Sequence, residues 1–188
     1  MTAAPYVLGS TKGDAIMGWN IDTSHSSIGF TVRHMVFAKV HGRFDKWTAT
    51  LDMNDADITK STVTIEVDVA SVNTNEEKRD GHLKAADFFD VAAHPKLVFK
   101  SKRVEKSGEH LHLVGDLTIR GNTKEIVVEI EQTGSGKDPW GNARVAFSGK
   151  ASLNRKDFGL NWNQLLEAGG VLVGEKVEIV IEIQAVKS

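Results

Sequence analysis

The sequence predicts an all-β protein of antiparallel strands, and three observations carry the prediction. Apolar residues recur at every second position along most of the chain after Trp19, the period of a strand with one buried face. Turn chemistry separates these runs, tightly at Arg120-Gly121-Asn122-Thr123 and more loosely over Gly134–Pro139. One stretch, Thr74–Asp90, abandons the period and reads as a short helical segment around residues 76–89. Residues 1–17 show no sustained period and are assigned to an N-terminal extension, leaving residues 18–188 as one domain.

The strands follow in order. A first is placed at Trp19. Ile28, Phe30 and Val32 then share a face opposed by Gly29, Thr31 and Arg33, which puts His34 on the apolar side as well. Phe44–Leu51 forms the next strand, and Asn54–Ser61 is a polar connection. Val63, Ile65, Val67 and Val69 are opposed by Thr62, Thr64, Glu66 and Asp68. Leu111, Leu113, Leu117 and Ile119 form a row in which Gly115 marks a bulge or bend. Ile126, Val128 and Ile130 oppose Glu125, Glu129 and Glu131, with Val127 on the polar face. Val145, Phe147, Ala151 and Leu153 make another row, and Val177, Ile179, Ile181 and Ile183 close the series. About eight strands with one apolar face each must bury it as a sandwich or by closing into a barrel, and periodicity alone does not choose. The small residues Gly115, Gly149 and Ala151 among bulky inward ones permit a cavity.

Composition excludes several function classes. The chain has 188 residues, 40% hydrophobic and 26% charged, with a formal net charge of -2. No basic stripe marks it for nucleic acid, and no Lys/Arg run marks it for anionic headgroups. Cysteine is absent, which removes disulfides and thiolate metal sites. The first residues lack a basic region followed by an apolar one, and no stretch has the length of a membrane-spanning helix. The expectation is a soluble, cytoplasmic protein.

Chemistry concentrates at Thr74–Asp90, where Arg79, Asp80 and His82 fall within one helical turn ahead of Phe88 and Phe89. Such a cluster binds an anion, moves a proton, or simply decorates a helix start with weak surface pairs. His34 is a further polar group among apolar neighbours, a setting that suits a satisfied core residue or a ligand contact. Metal binding has little support. His110 and His112 share a face without a third ligand, and Asp55-x-Asp57-x-Thr59 has Lys60 where a calcium loop needs glycine. No nucleophile elbow and no phosphate-cradling glycine loop occurs.

The ordered fragments Trp19-x-Ile21-Asp22-x-x-His25-Ser26, Gly42-x-Phe44, Thr74 with Arg79-Asp80-x-His82-Leu83, and Asp87-Phe88-Phe89-Asp90 resemble the YceI-like proteins. Pro95 with Phe99, Gly115-x-Leu117-Thr118-Ile119-x-Gly121-x-Thr123 and Arg155-x-Asp157-Phe158-Gly159 extend the resemblance to nearly the whole chain. It implies a lipocalin-like, extended up-and-down eight-stranded barrel that carries an isoprenoid-chain amphiphile, such as an isoprenoid quinone or polyprenyl phosphate. No other cofactor is implied. The tail-binding walls would be Ile28, Phe30, Val32, Ile65, Val67, Phe99, Leu117, Ile119, Val128, Phe147, Phe158 and Trp162. Arg79 and His82 would meet the head group, with Asp80 orienting one of them and His34 as a third contact. The alternative is an enzyme acting on a similar amphiphile with Asp80 and His82 as its acid–base pair. The resemblance also implies a homodimer, for which Val127 and Val180 offer exposed apolar surface.

Overall fold

The period-two runs pair edge to edge because each strand must satisfy its backbone while burying one face. The computed structural model describes residues 18–35, 37–167 and 169–188; the extension expected over residues 1–17 lies outside them. The elements are β1 (Trp19–Ile21), β2 (Ser27–His34), β3 (Ala38–Phe44), β4 (Trp47–Asp52), β5 (Thr62–Asp68), β6 (Val72–Asn73), α1 (Glu77–Lys84), β7 (Lys96–Ser107), β8 (His110–Ile119), β9 (Asn122–Lys137), β10 (Ala143–Asn154) and β11 (Val173–Lys187).

The hydrogen-bonded ring runs β1-β4-β5-β7-β8-β9-β10-β11, antiparallel throughout, and closes where β11 returns to β1 with Trp19 opposite Lys187. The same edge of β11 also carries β2, which pairs with β3, and β3 with β6. Thus β1 and β2 act as one stave interrupted at Asp22–Ser26, and β3 and β4 as another interrupted at Asp45–Lys46. Closure leaves one continuous inner face, and eight strands enclose enough space for a small ligand.

The first interruption is held by side chains. Asp22 caps the 3-10 turn Thr23–His25, while Ser26 Oγ donates to the Asp22 carbonyl at 2.7 Å and accepts from Gln184 N–H at 2.9 Å. Arg144 binds Asp22 at 2.9 Å, Gln184 at 2.8 Å and Asp138 at 3.0 Å, joining β10, β11 and the stave break.

Three local expectations change. The helix spans Glu77–Lys84, not 76–89, because Ala85 turns to extended backbone and the Ala86–Asp90 segment folds back as turns. The Gly134–Pro139 loop is largely strand: β9 continues through Lys137 against β10, past a bulge opposite Ala146/Phe147. Pairing with β10 outweighs the glycines' weak preference. The number of staves is eight as expected, but Trp19 is not a separate one, and β7 completes the set. In β7 a register shift between Ser101 and Arg103 disrupts the alternation by which a strand would be recognised.

Candidate functional site

The inner faces of the staves enclose a cavity of about 180 Å³. Ile28, Phe30, Ile65, Val67, Leu117, Ile119, Val128 and Phe147 line it from the alternating rows, Phe99 lines it as the resemblance implied, and no charged side chain does among the described residues. Sequence reasoning missed much of the remaining wall, including Ile21, Leu51, Met53, Ile58 and Val104. Ile58 lies in a 3-10 turn of the polar β4–β5 connection, and Val104 follows the β7 bulge, so neither shows the alternating signal.

Glycine shapes the space at two places where aromatic rings lie across bare backbone. A Cβ at Gly42 would sit 2.3 Å from the Phe30 ring, and one at Gly115 would sit 2.6 Å from the Phe99 ring. Only a residue without a Cβ leaves room for the ring at either place, and at Gly115 the Lys100 carbonyl stands 2.5 Å from the same point.

Val32, Phe158 and Trp162 do not line the cavity. Val32 is half-buried near the end of β2. Phe158, 1% exposed, belongs to the packed plug at the end where α1 lies, together with Leu160, Val69 and Val72. Phe30, Phe44 and Phe89 form a ring series there, with centroid separations of 5.6 and 6.1 Å. Trp162 sits outside, edge-on to His82 at 4.6 Å and beside Phe88 at 5.3 Å.

Two arginines stitch this end. Arg120 donates to the Gly159 carbonyl at 2.8 Å and the Ala86 carbonyl at 2.7 Å, joining the β8–β9 turn to both capping segments. Arg155, 3% exposed, donates to the carbonyls of Gly174, Leu160 and Val173. A guanidinium spends its fan of donors on carbonyls that irregular loops would otherwise leave unpaired. The Arg155-x-Asp157-Phe158-Gly159 motif was visible in sequence, but this task was not. Gly159 completes it at φ 77°, closing the short 3-10 turn.

The expected head-group cluster occupies the outside of the same capped end and lines none of the cavity. Glu76 caps α1, accepting from Arg79 N–H at 2.7 Å. The Arg79 guanidinium turns to Thr74, with Nε 2.7 Å from Oγ1 and Nη2 2.9 Å from the carbonyl. Asp80 accepts from the Thr74 N–H at 2.9 Å and from its hydroxyl at 2.5 Å. Thr74 is itself buried. The structure therefore joins Arg79 and Asp80 as a knot around Thr74, anchoring the start of the capping segment. His82 faces elsewhere: its Nε2 lies 2.9 Å from Asp87, and that hydrogen bond lowers the Asp87 carboxyl from its ordinary range. Asp80 and His82 are not paired, so the expected acid–base couple is not assembled. His34, half-buried at the end of β2, stands opposite Ala38 and Val173 and remains separate from the other three.

Residues 19–185 match the model of the YceI-like domain. The chain belongs to the YceI-like family. A UPF0312 protein of Vibrio cholerae is 39% identical over 159 residues, covering 84% of this YceI-like chain and 78% of the relative. Among solved structures, Burkholderia cenocepacia BcnA aligns with a TM-score of 0.77 at 20% identity, covering 88% of this chain and 99% of that one. A polyisoprenoid binding domain from Saccharophagus degradans aligns at 0.65 with 14% identity, covering 92% and 99%. At such identities these two establish the shared fold.

Proposed function

We propose that this YceI-like protein is a carrier that holds an isoprenoid-chain amphiphile, an isoprenoid quinone or a polyprenyl phosphate, inside its barrel. The observation that carries the reading is the cavity: closed by an eight-stranded ring, walled by aliphatic and aromatic side chains, and lined by no charged side chain among the described residues. A fold neighbour described as a polyisoprenoid binding domain provides the precedent for this ligand class in such a barrel.

The energetics suit a tail. An apolar cavity of about 150 Å³ stays dry and accepts a benzene ring, so the present 180 Å³ offers comparable room for part of a prenyl chain. Left empty, it forgoes about 4 kcal/mol at about 24 cal/mol per Å³. A longer tail requires half-buried wall residues such as Met53 and Phe147 to rotate, and ordering the tail offsets part of the gain.

The described residues contain no helix long and apolar enough to cross a membrane, and cytoplasmic residence belongs to the same proposal. So does a homodimer: Val127 and Val180, 50% and 40% exposed on β9 and β11, supply apolar outer surface for it. The test of function is extraction of lipid from the purified protein and its identification by mass spectrometry. An unmodified prenyl compound in stoichiometric amount is the expected result; a protein consistently free of prenyl lipid refutes the carrier reading.

A further inference from the structure

The cavity has two ends of different construction. At the helix end its walls are nearly sealed, with Phe44, Val67 and Ile119 exposed by 7%, 1% and 5% and the plug behind them. Opening that end requires breaking the carbonyl bonds of Arg120 and Arg155. At the opposite end, where β1 meets β11, the lining residues Leu51, Met53, Ile58 and Leu111 are only half-buried. The wall's exposed hydroxyl residue, Thr62, is there too, beside buried Ser61.

The β4–β5 connection that forms this rim is hydrogen-bonded largely to itself. Asn54 Oδ1 accepts from Ala56 and Asp57 N–H, Asp57 Oδ1 accepts from Thr59, and Ser61 Oγ accepts from Asn54 N–H at 3.0 Å. Asp55 ties it to the barrel by accepting from Trp19 Nε1 at 2.8 Å and from Lys187 Nζ. The turn Ile58–Lys60 also rests against β7, and a connection bonded largely to itself keeps its internal hydrogen bonds when it shifts as one piece. Lys60, 3.8 Å from Asp57, and Lys106, whose charge also acts on Asp57, place cations around this rim.

We propose that the connection Met53–Ser61 is the mouth of the cavity: an amphiphile passes it tail-first, and its anionic or acceptor-rich head stays near Thr62 and Lys60, opposite to Arg79 and His82. This rests on the carrier reading. The tail then points toward Phe44 and the plug. The head remains in a high-dielectric rim, and no charge has to enter the uncharged interior.

Because the chain has no cysteine, a single introduced thiol takes a bulky maleimide at one chosen place. Thr62→Cys marks the proposed mouth and Ala86→Cys, on an exposed capping turn, marks the opposite end. Stopped-flow uptake and release of farnesol are followed for both labelled variants, each checked by circular dichroism for an intact fold. Labelling at residue 62 is expected to slow uptake and release by about tenfold or more, and labelling at 86 to leave them unchanged. Equal slowing by both, slowing by 86 alone, or slowing by neither overturns the mouth. Lys60→Ala is expected to weaken farnesyl phosphate severalfold while sparing farnesol; equal affinities for the parent and variant remove the head-group part. If the unlabelled parent takes up no farnesol, the carrier reading itself falls, a result distinct from a misplaced mouth.

Discussion

Replacing Gly149 by leucine tests whether the tail passes the middle of the barrel. Gly149 on β10 lies opposite Ile130 and Ile181 and lines the cavity. A Cβ there would stand 3.3 Å from Val128 Cγ1 and 3.5 Å from Ile181 Cβ, tight but not a backbone collision. The remainder of the leucine must extend past these side chains into the open space. Its isobutyl group brings about 3 kcal/mol of apolar burial at about 0.8 kcal/mol per methylene. Overpacking around Val128 costs about 1–3 kcal/mol. Folding stability should therefore stay within about 2 kcal/mol of the parent, a midpoint shift under about 8 °C for a domain of this size. Ligand binding has no such compensation. Displacing one isoprene unit forfeits about 4 kcal/mol of burial, about a thousandfold in affinity if the tail cannot rearrange. Thermal unfolding by circular dichroism and the prenyl lipid recovered per mole of protein are measured together. A variant that unfolds like the parent and still carries the parent's lipid load refutes a tail lying along β10.

Three further outcomes follow from particular contacts. Arg79→Ala should cost about 1.5–3 kcal/mol in urea unfolding, the usual worth of hydrogen bonds from a charged donor, and leave the affinity for farnesyl phosphate unchanged; a selective loss of phosphate binding would return Arg79 to the head group. Phe158→Ala should cost about 3–5 kcal/mol, since its ring is 1% exposed in the plug; a loss below about 1 kcal/mol would show that the plug is not close-packed. Acid should destabilise the stave break: burial pushes Asp138 up, but hydrogen bonds from Asn142, Arg144 and Trp140 N–H win and hold it at about 2 against an ordinary 3.8. Because the folded value is the lower one, this stability is present above about pH 4 and is lost as pH falls toward 2. Asp22, lowered by Ser24, Arg144 and His25, acts in the same direction. Asp138→Asn should flatten that limb of a pH-stability curve, and an unchanged slope between pH 4 and 2 would refute the assignment.

What the sequence determined by itself is whatever depends on local period. Ile28, Phe30, Ile65, Val67, Leu117 and Ile119 point inward because alternate residues of a strand share a face, so most of the cavity wall was legible before any tertiary contact. Closure into a barrel was not: sandwich and barrel bury the same rows, and the choice depends on β11 meeting β1 across almost the whole chain. The β7 bulge and the Ile58 turn hid wall residues for the same reason, since their direction is set by neighbours and not by spacing. The polar cluster shows the limit most clearly. Sequence placed Arg79, Asp80 and His82 within a turn, but each guanidinium, carboxylate or imidazole binds whichever partner the fold presents. Buried Thr74 and exposed Asp87 were presented, at the capped end and away from the cavity. Directional interactions are short-ranged, so only the assembled tertiary structure decides which groups stand within their reach.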